Sequence, residues 1–217
     1  MNWQRARTAD KKEERKNSIC KAALKLFKKN SFESVSFNNI AKEAGFAKSN
    51  LYRYFNSKEE IFLNIYSDLL SKWSDSCLSK IKKLKRNCSA KTFAKAWVES
   101  IVNEKNFLDL NTMLFVSLER NSSYEQLKDF KVLISRKLLE HNFELMRIFP
   151  DFNLEKSKYF ILTSNSLLSS LWAASLYNKE LAKIYKEKDF KVLKPNFQED
   201  LIKSIEILIT GLIASKN

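Results

Sequence analysis

Apolar residues recur along most of this chain at intervals of three and four, the spacing that builds one face of an α-helix. The pattern is clearest just after residue 36. Ser36 can cap a helix there, because its hydroxyl accepts a free amide hydrogen of the first turn. Gly45 can end that helix in the left-handed conformation without strain from a Cβ atom. The sequence therefore predicts a short helix with the apolar stripe Phe37, Ile40, Ala41 and Ala44.

A second apolar set follows the glycine and consists of Leu51, Tyr54 and Phe55. Two short helices joined by a glycine turn within about twenty residues are typical of a helix-turn-helix motif. The side chains off the packing face of the second helix are polar or basic, and such groups suit base edges and phosphate oxygens. They are Lys48, Ser49, Asn50, Tyr52 and Arg53.

Long helical patterns fill the remainder of the chain, so the predicted fold class is all-α with about nine helices. Ser57 and Glu60 have the spacing of a capping box at the start of a long fourth helix. The basic stretch Lys179–Lys194 is predicted as a connection before the last helix. The other predicted helices outside the motif span residues 9–29, 92–103, 107–118, 123–149, 153–177 and 196–215.

Composition supports an all-α chain and favours a nucleic-acid partner. The 217 residues include two glycines and two prolines, too few for a β-sandwich or a glycine-rich phosphate loop. The formal net charge is +14, but most of the excess is lysine, which AT-rich codons also produce, so its distribution is more informative. Residues 1–60 carry 14 basic and 7 acidic side chains, half of the excess in just over a quarter of the chain.

Cysteine and histidine indicate no metal site. Cys20, Cys77 and Cys88 match no ligand spacing and are predicted to be reduced structural thiols inside a cell, with a redox sensor as the alternative. His141 is the only histidine and falls on a heptad-like apolar stripe. It is either a satisfied core or interface residue or a polar anchor in a ligand pocket. No partner ligands lie at suitable spacing, so neither a metal nor another cofactor is predicted.

The run from Ile19 to Ile61 resembles the tetracycline-repressor (TetR) family of bacterial transcription regulators. The resemblance is specific over the first quarter of the chain, and beyond it only length and helix pattern match. It implies a helix-turn-helix DNA-binding domain over residues 1–58 and a helical effector-binding and dimerisation domain over residues 59–217. The residues that carry it are Ala22, Ala23, Leu26, Phe27, Ser36, Ile40, Ala41, Ala44, Gly45, Leu51, Tyr52, Tyr54, Phe55, Ser57, Lys58 and Glu59.

The resemblance also assigns roles at the DNA. Tyr52 and Lys58 would contact phosphate, and Lys48, Asn50 and Arg53 would lie nearest to the bases. The partner would be double-stranded DNA with a palindromic operator, because a homodimer presents two DNA-binding domains, called heads below, about one DNA turn apart. The predicted DNA-binding residues are Ser36, Asn38, Lys48, Ser49, Asn50, Tyr52, Arg53 and Lys58.

Two positions depart from the family pattern. Asn30 stands where the family usually has glycine at the end of the first helix, and asparagine tolerates the left-handed conformation. Ala47 stands where a small hydroxyl residue is common, so the sequence does not indicate which group caps the second helix of the motif.

The helical domain over residues 59–217, called the body below, is predicted to dimerise and to sense a small molecule. Small residues in the helix Leu154–Tyr177 and surplus apolar residues in Asn196–Ser215 favour a four-helix dimer interface. Aromatic residues in the fifth to eighth helices favour an apolar pocket for a near-neutral hydrophobic effector, including one with an acidic group drawn by the positive field. The predicted pocket residues are Trp97, Phe107, Met113, Phe115, His141, Phe143, Met146 and Trp172.

These patterns predict a ligand-responsive regulator, a repressor by resemblance, located in the cytoplasm and without a membrane span or secretory signal. The alternative is a helical protein–protein adaptor that retains the helix-turn-helix as a structural element. An enzyme is not predicted, because the chain has no P-loop, Rossmann or nucleophile-elbow pattern. The basic N-terminal tail with Trp3, Arg5 and Arg7 is either frayed or an arm along the DNA.

Overall fold

The computed structural model describes residues 2–215, and their side chains from residue 10 onward. The described residues form helices joined by turns and contain no strand, which confirms the all-α fold class. Ten α-helices lie in this range: α1 (Asn2–Phe27), α2 (Phe37–Glu43), α3 (Lys48–Leu51), α4 (Lys58–Ile81), α5 (Ala90–Glu99), α6 (Lys105–Met113), α7 (Tyr124–Ile148), α8 (Leu154–Ser175), α9 (Lys179–Ile184) and α10 (Phe197–Ala214). A π-helix spans Leu114–Leu118, and a 3-10 turn spans Lys191–Leu193.

Polar caps fix several helix starts where the sequence predicts them. The Ser36 hydroxyl accepts the amide hydrogen of Asn39 at the start of α2. The Asn153 side chain accepts from Lys156 at the start of α8, and Asn196 caps α10 in the same way. Each cap satisfies an amide that would otherwise lack a partner in the first turn.

The first compact unit comprises residues 1–68 and 113–132. Its core is built on the buried ring of Phe62, which meets Phe27 and Phe32 edge to face at centroid distances of 5.4 and 5.0 Å. Leu51 and Phe55 are buried in the same unit, as their positions on the predicted packing face require. This core holds the helix-turn-helix in place.

The second compact unit comprises residues 69–112 and 133–217. Its core is rich in aromatic rings, and Phe93 on α5 packs against Trp97, Phe149 and Phe160. Helix α10 packs against α5 and α8. The functional boundary at residue 58 stays a prediction, since α4 contributes residues to both units.

Three local features of the structure go beyond or differ from what the sequence indicates. Asn30 does not adopt the left-handed conformation, because its side-chain amide donates to the Leu26 carbonyl (2.9 Å) and so satisfies the helix end directly. The helix predicted over 107–118 changes to a π-helix at Leu114, where the Glu119 amide donates back to the Leu114 carbonyl. The connection predicted over Lys179–Lys194 contains α9, which Asn178 caps through the amides of Glu180 and Leu181.

The three cysteines are free thiols. Cys20 and Cys77 are buried, and desolvation raises the pKa of each thiol to about 12. Cys88 is half-buried, and its pKa is raised by desolvation as well. None of the described helices combines the length and apolar character needed to cross a membrane.

Candidate nucleic-acid interface and effector site

The helix-turn-helix is positioned by its glycine turn and by a buried leucine. Gly45 has φ +72°, the left-handed conformation predicted for the turn. Leu51 is fully buried and anchors α3 to the core. Ala47 supplies no side-chain cap to α3, which is four residues long and continues as turns to Tyr54. We call residues 48–54 the recognition segment, and it is positioned by packing rather than by capping.

The side chains predicted to face DNA lie mainly on the surface of the first unit. Ser36, Asn38, Lys48, Ser49, Tyr52 and Arg53 are exposed, while Asn50 and Lys58 are half-buried. Tyr52 packs its ring against Phe37 at a centroid distance of 4.8 Å, which leaves the phenol at the surface. The polar face is thus fixed to α2 through this ring pair.

Three of the predicted DNA-binding residues line one cleft. Ser36, Tyr52 and Lys58 border a surface cleft of about 330 Å³, together with Asn56, Ser57 and other neighbours. Glu33 also lines it, and a hydrogen bond from its own backbone amide and one from Ser31 hold the pKa of its carboxyl below the usual value. The cleft therefore combines hydroxyl and ammonium donors with one ionised carboxylate.

Lys58 has a structural role that the sequence did not indicate. Its Nζ donates to the carbonyls of Phe32 (2.9 Å) and Val35 (3.1 Å), and it lies 4.4 Å from the centroid of the Phe32 ring. These contacts hold the loop that precedes the Ser36 cap. An ammonium group has three donor hydrogens, so two carbonyl bonds leave one for an anion.

Glu60 joins the start of α4 to the start of α7. Its amide donates to the Ser57 hydroxyl (3.1 Å), as the capping box predicts. Its carboxylate accepts from the amides of Asn56 (2.6 Å) and Ser123 (2.9 Å), and from the Asn56 side chain (3.1 Å). Desolvation raises the pKa of this carboxyl, but the hydrogen bonds outweigh it and hold the pKa below its usual value.

In the second unit, the structure brings together three of the predicted pocket residues: Trp97, Phe107 and His141. Trp73 of α4, which is not among the predicted pocket residues, lies at the centre of this group. It stacks on Phe107 (5.4 Å between centroids) and on His141 (6.0 Å), while Trp97 meets His141 edge-on (5.5 Å). We call these four residues the aromatic cluster.

Hydrogen bonds fix the two indoles of the aromatic cluster. The Trp73 Nε1 donates to the Ser100 hydroxyl (3.0 Å), which in turn donates to the Trp97 carbonyl (2.6 Å). His141 is 4% exposed, and desolvation lowers its pKa from the usual 6.5, although the bond between its Nδ1 and the Lys137 carbonyl opposes this. The imidazole is therefore neutral at pH 7.

The other predicted pocket residues lie elsewhere. Phe143 is 62% exposed, because it stands two positions after His141 and so faces away from it on α7. Phe115 is 53% exposed on the π-helix and belongs to the first unit, as does the half-buried Met113. Trp172 is half-buried, packs on Phe197 (4.9 Å) and donates to Asp109 (2.8 Å). Met146 is half-buried on α7.

Among the described residues, no three His, Cys, Asp or Glu side chains are grouped as a metal ion would require. The predicted contacts of Trp3, Arg5 and Arg7 lie outside the residues whose side chains are described.

Comparison with known proteins places these features in a family. Residues 67–216 match the model described as "Tetracyclin repressor-like, C-terminal domain", which covers more than half of the chain. The chain belongs to the TetR family. Residues 19–65 match a second TetR model, "Bacterial regulatory proteins, tetR family". This matched range contains the helix-turn-helix described above.

Two relatives of this TetR chain match its N-terminal region. It is 36% identical over 58 residues to the uncharacterized regulator YfiR of Bacillus subtilis, and 35% identical over 72 residues to the regulator QacR of Staphylococcus aureus. These matches cover 27% and 33% of this chain, and 28% and 38% of the relatives. The matched region therefore spans less than half the length of each relative.

Solved TetR-like structures share the fold along most of the chain. The fatty acid degradation regulator FadR of Bacillus halodurans has a TM-score of 0.54 at 15% identity, covering 93% of this chain and 95% of its own. PfmR of Thermus thermophilus, a TetR family regulator, has a TM-score of 0.55 at 18% identity, covering 88% and 97%. At these identities the likeness shows the fold alone.

Proposed function

We propose that this TetR-family chain is a DNA-binding transcription regulator that works as a homodimer. It acts as a repressor, and it leaves its operator when a small hydrophobic molecule binds the second unit. The observation that carries the proposal is the recognition segment, whose packing side chains are fixed while its polar side chains stay at the surface. Such a surface is free to enter the major groove.

The DNA-binding residues divide into three groups. Lys48, Asn50 and Arg53 lie on the segment that enters the groove and contact base edges. Ser36, Tyr52 and Lys58 border the cleft, whose donors receive a backbone phosphate. Asn38 and Ser49 extend the polar surface on either side. The carboxylate of Glu33 opposes the phosphate and limits non-specific affinity, because like charges repel at short range.

The dimer forms through the outward faces of α8 and α10. Leu162 and Ile207 are exposed on these helices, and Ser166, Ala173 and Gly211 provide flat, small-residue surface beside them. Two such helices from each copy make a four-helix bundle. The pair of heads then reads two half-sites about one DNA turn apart.

Effector binding changes the population of head separations. Free dimers sample arrangements that fit both half-sites and others that do not, and an effector stabilises the second kind through its higher affinity for them. The aromatic cluster is the place in the second unit where the effector binds. An aromatic-lined site with few polar groups suits a molecule of low polarity.

A gel shift with DNA from upstream of the chain's own gene tests DNA binding. The native chain should shift this DNA in the presence of excess random DNA, and Arg53→Ala should lose about tenfold or more in affinity for it, since a good base contact contributes about 1–3 kcal/mol. Arg136→Ala is the matched control, because Arg136 is also exposed but lies in the second unit. Equal loss in both variants would contradict a base-reading role for Arg53.

Sedimentation tests the dimer. Ile207 is 61% exposed in the single chain, so Ile207→Asp should leave the fold intact yet separate the dimer, because a buried unpaired carboxylate is unfavourable. Val192→Asp is the control, since Val192 is 87% exposed on the connection before α10. A native chain that sediments as a monomer at micromolar concentration would contradict the dimer.

A further inference from the structure

The hydrogen bonds of His141 define which of its nitrogens is an acceptor. Its Nδ1 lies 2.9 Å from the Lys137 carbonyl oxygen. A carbonyl oxygen only accepts, so Nδ1 carries the hydrogen and donates it. Because burial keeps the imidazole neutral, Nε2 carries a lone pair and no hydrogen.

This acceptor is buried without a partner. The Nε2 of His141 is enclosed by protein and has no hydrogen bond, and the neighbouring Asn142 also buries its side-chain oxygen without one. Buried polar groups are nearly always hydrogen-bonded in folded proteins, so an unpaired lone pair of this kind needs an explanation. The two interpretations of His141, a satisfied core histidine and a polar anchor, are thereby separated, since the ring is satisfied at one nitrogen only.

The surroundings of the Nε2 atom decide what can pair with it. Trp73 and Trp97 flank the imidazole, and Phe107 stacks on Trp73. The nearby charged groups are already matched to each other, because the Lys137 ammonium lies 2.6 Å from Asp75 and 3.1 Å from Glu140. What remains at the ring is an aromatic surface with a single neutral acceptor.

We propose that the effector is an uncharged, largely aromatic molecule that donates one hydrogen bond, from an N–H or O–H group, to the Nε2 of His141. This inference rests on the proposed function, because it names the chemical class of the molecule that the second unit senses. His141 is then the specificity-determining residue of the site. Trp73, Trp97 and Phe107 supply stacking surface for the rest of the molecule.

Anions are the wrong class for this site. A carboxylate offers only acceptors, and it would meet a lone pair at Nε2 and lose its hydration in an aromatic environment. Protonating His141 to receive it would work against the burial that favours the neutral ring. The acidic effectors that the net positive charge favours are therefore excluded from the aromatic cluster.

Three probes of similar size test the class. Indole has an N–H donor, 1-benzothiophene has nearly the same bicyclic shape without a donor, and benzoate is an anion without one. We expect calorimetry on the native protein to give indole an affinity about tenfold or more above that of 1-benzothiophene, since satisfying a buried acceptor is strongly favourable. Benzoate should bind most weakly.

Nitrogen NMR reads the contact directly. His141 is the only histidine, so a protein labelled with ¹⁵N-histidine gives one pair of ring signals that need no further assignment. Indole should move the Nε2 signal from the position of a free lone pair toward that of a hydrogen-bonded one. The Nδ1 signal should stay where it is, because its bond to Lys137 is kept.

Two substitutions separate acceptor from shape. His141→Phe keeps an aromatic ring but removes the acceptor, so it should abolish the preference for indole over 1-benzothiophene. His141→Gln restores an acceptor at a similar reach and should recover part of the preference. If His141→Phe fails to fold, His141→Gln together with the NMR signal still decides the question.

The inference is overturned if indole and 1-benzothiophene bind alike, if neither binds, or if benzoate binds at least as tightly as indole. It is also overturned if the Nε2 signal already reports a hydrogen bond in the free protein, since a buried water then fills the role. DNA binding is measured separately by gel shift. If indole binds selectively but does not release DNA, the proposed regulation is contradicted and the donor-selective site at His141 is supported. If a probe without a donor releases DNA, the proposed regulation is supported and the donor-selective site is contradicted.

Discussion

The two units differ in how they treat buried polar groups. In the first unit, the carboxylate of Glu60 is almost fully enclosed, yet it accepts hydrogen bonds from Asn56 and Ser123. In the second, Ser74, His141 and Ser157 each bury a polar atom that has no hydrogen-bond partner. Among the described residues, no buried side-chain oxygen or nitrogen of the first unit is in that state.

This difference fits the two tasks that we propose for the units. A surface that reads DNA has to present its side chains in one arrangement, and a fully bonded interior keeps such a surface rigid. A unit that senses a molecule has to gain something when the molecule arrives, and unpaired polar groups supply that gain. The buried side-chain polar groups of the first unit thus have their hydrogen bonds within the protein, while several of the second unit can still accept or donate one.

The largest expected effect is on the aromatic core of the second unit. Phe93 is fully buried against three rings, so Phe93→Ala should lower the free energy of unfolding by about 3–5 kcal/mol through lost burial and a cavity. Phe190→Ala is the control, because Phe190 is exposed in the same unit. Denaturant unfolding compares the two, and equal effects would show that Phe93 is not part of a tightly packed core.

Removing the Glu60 carboxylate should have the next largest effect. Glu60→Ala leaves the amides of Asn56 and Ser123 without their acceptor, which should lower the free energy of unfolding by about 2–3 kcal/mol. Glu59→Ala is the matched control in the same turn of α4. Amide exchange should localise the loss to the first unit, and a loss confined to the second unit would contradict the comparison.

Glu60 also predicts a pH dependence with a definite sign. Its pKa in the folded protein lies below the usual 4.5, so the folded state favours the ionised form. The resulting stability is fully present above about pH 4.5 and is lost as the pH falls through the folded pKa. Glu60→Gln should therefore flatten part of the acid limb of a stability–pH curve. Glu33 and Glu43, whose pKa values are also lowered, should keep some dependence in place.

Lys58 sharpens the comparison because it holds the loop before Ser36 and is also proposed to bind a phosphate. Lys58→Ala removes the bonds to Phe32 and Val35 and should lower the free energy of unfolding by about 1–2 kcal/mol. It should also reduce the salt dependence of DNA binding by about one phosphate contact. Lys48→Ala should leave stability unchanged, since Lys48 is exposed. A salt dependence unaltered by Lys58→Ala would leave only the structural role.

The two glycines of the chain give the smallest effect, with opposite signs in the two units. Gly45 has φ +72°, so Gly45→Ala should destabilise by about 1 kcal/mol even though no atom lies near the added methyl group. Gly211 is helical and equally unobstructed, so Gly211→Ala should stabilise the single chain by about 0.5–1 kcal/mol. Thermal melts measure both. Destabilisation by Gly211→Ala would indicate that a partner helix packs there in the dimer.

Local signals are sufficient to predict most of the fold. Ser36, Gly45, Asn153 and Asn196 each act on their own turn of the chain, so the sequence reveals what they do. The way in which Asn30 closes α1 is not predictable from the family pattern, because its side-chain amide donates to the Leu26 carbonyl and the left-handed conformation is not needed. The π-helix after α6 and the short α9 have no periodic apolar stripe long enough to identify them.

The two candidate sites differ in how far the sequence predicts them. The exposed face of the recognition segment follows from helical spacing alone, so the sequence identifies most of its residues. The Trp73–His141 stack joins α4 to α7 across 68 positions, and no local pattern contains it. The aromatic ring of Phe143 suggests a pocket residue, although its position relative to His141 directs it outward.

The three thiols have a practical consequence for spectroscopy. Cys20 and Cys77 are shielded and protonated at neutral pH, so alkylating reagents should reach the half-buried Cys88 first. A nitroxide could then be attached at one place in each native chain without prior mutagenesis. Two copies in a symmetric pair would report a single inter-label distance, and its change on adding indole would measure the motion of the body directly.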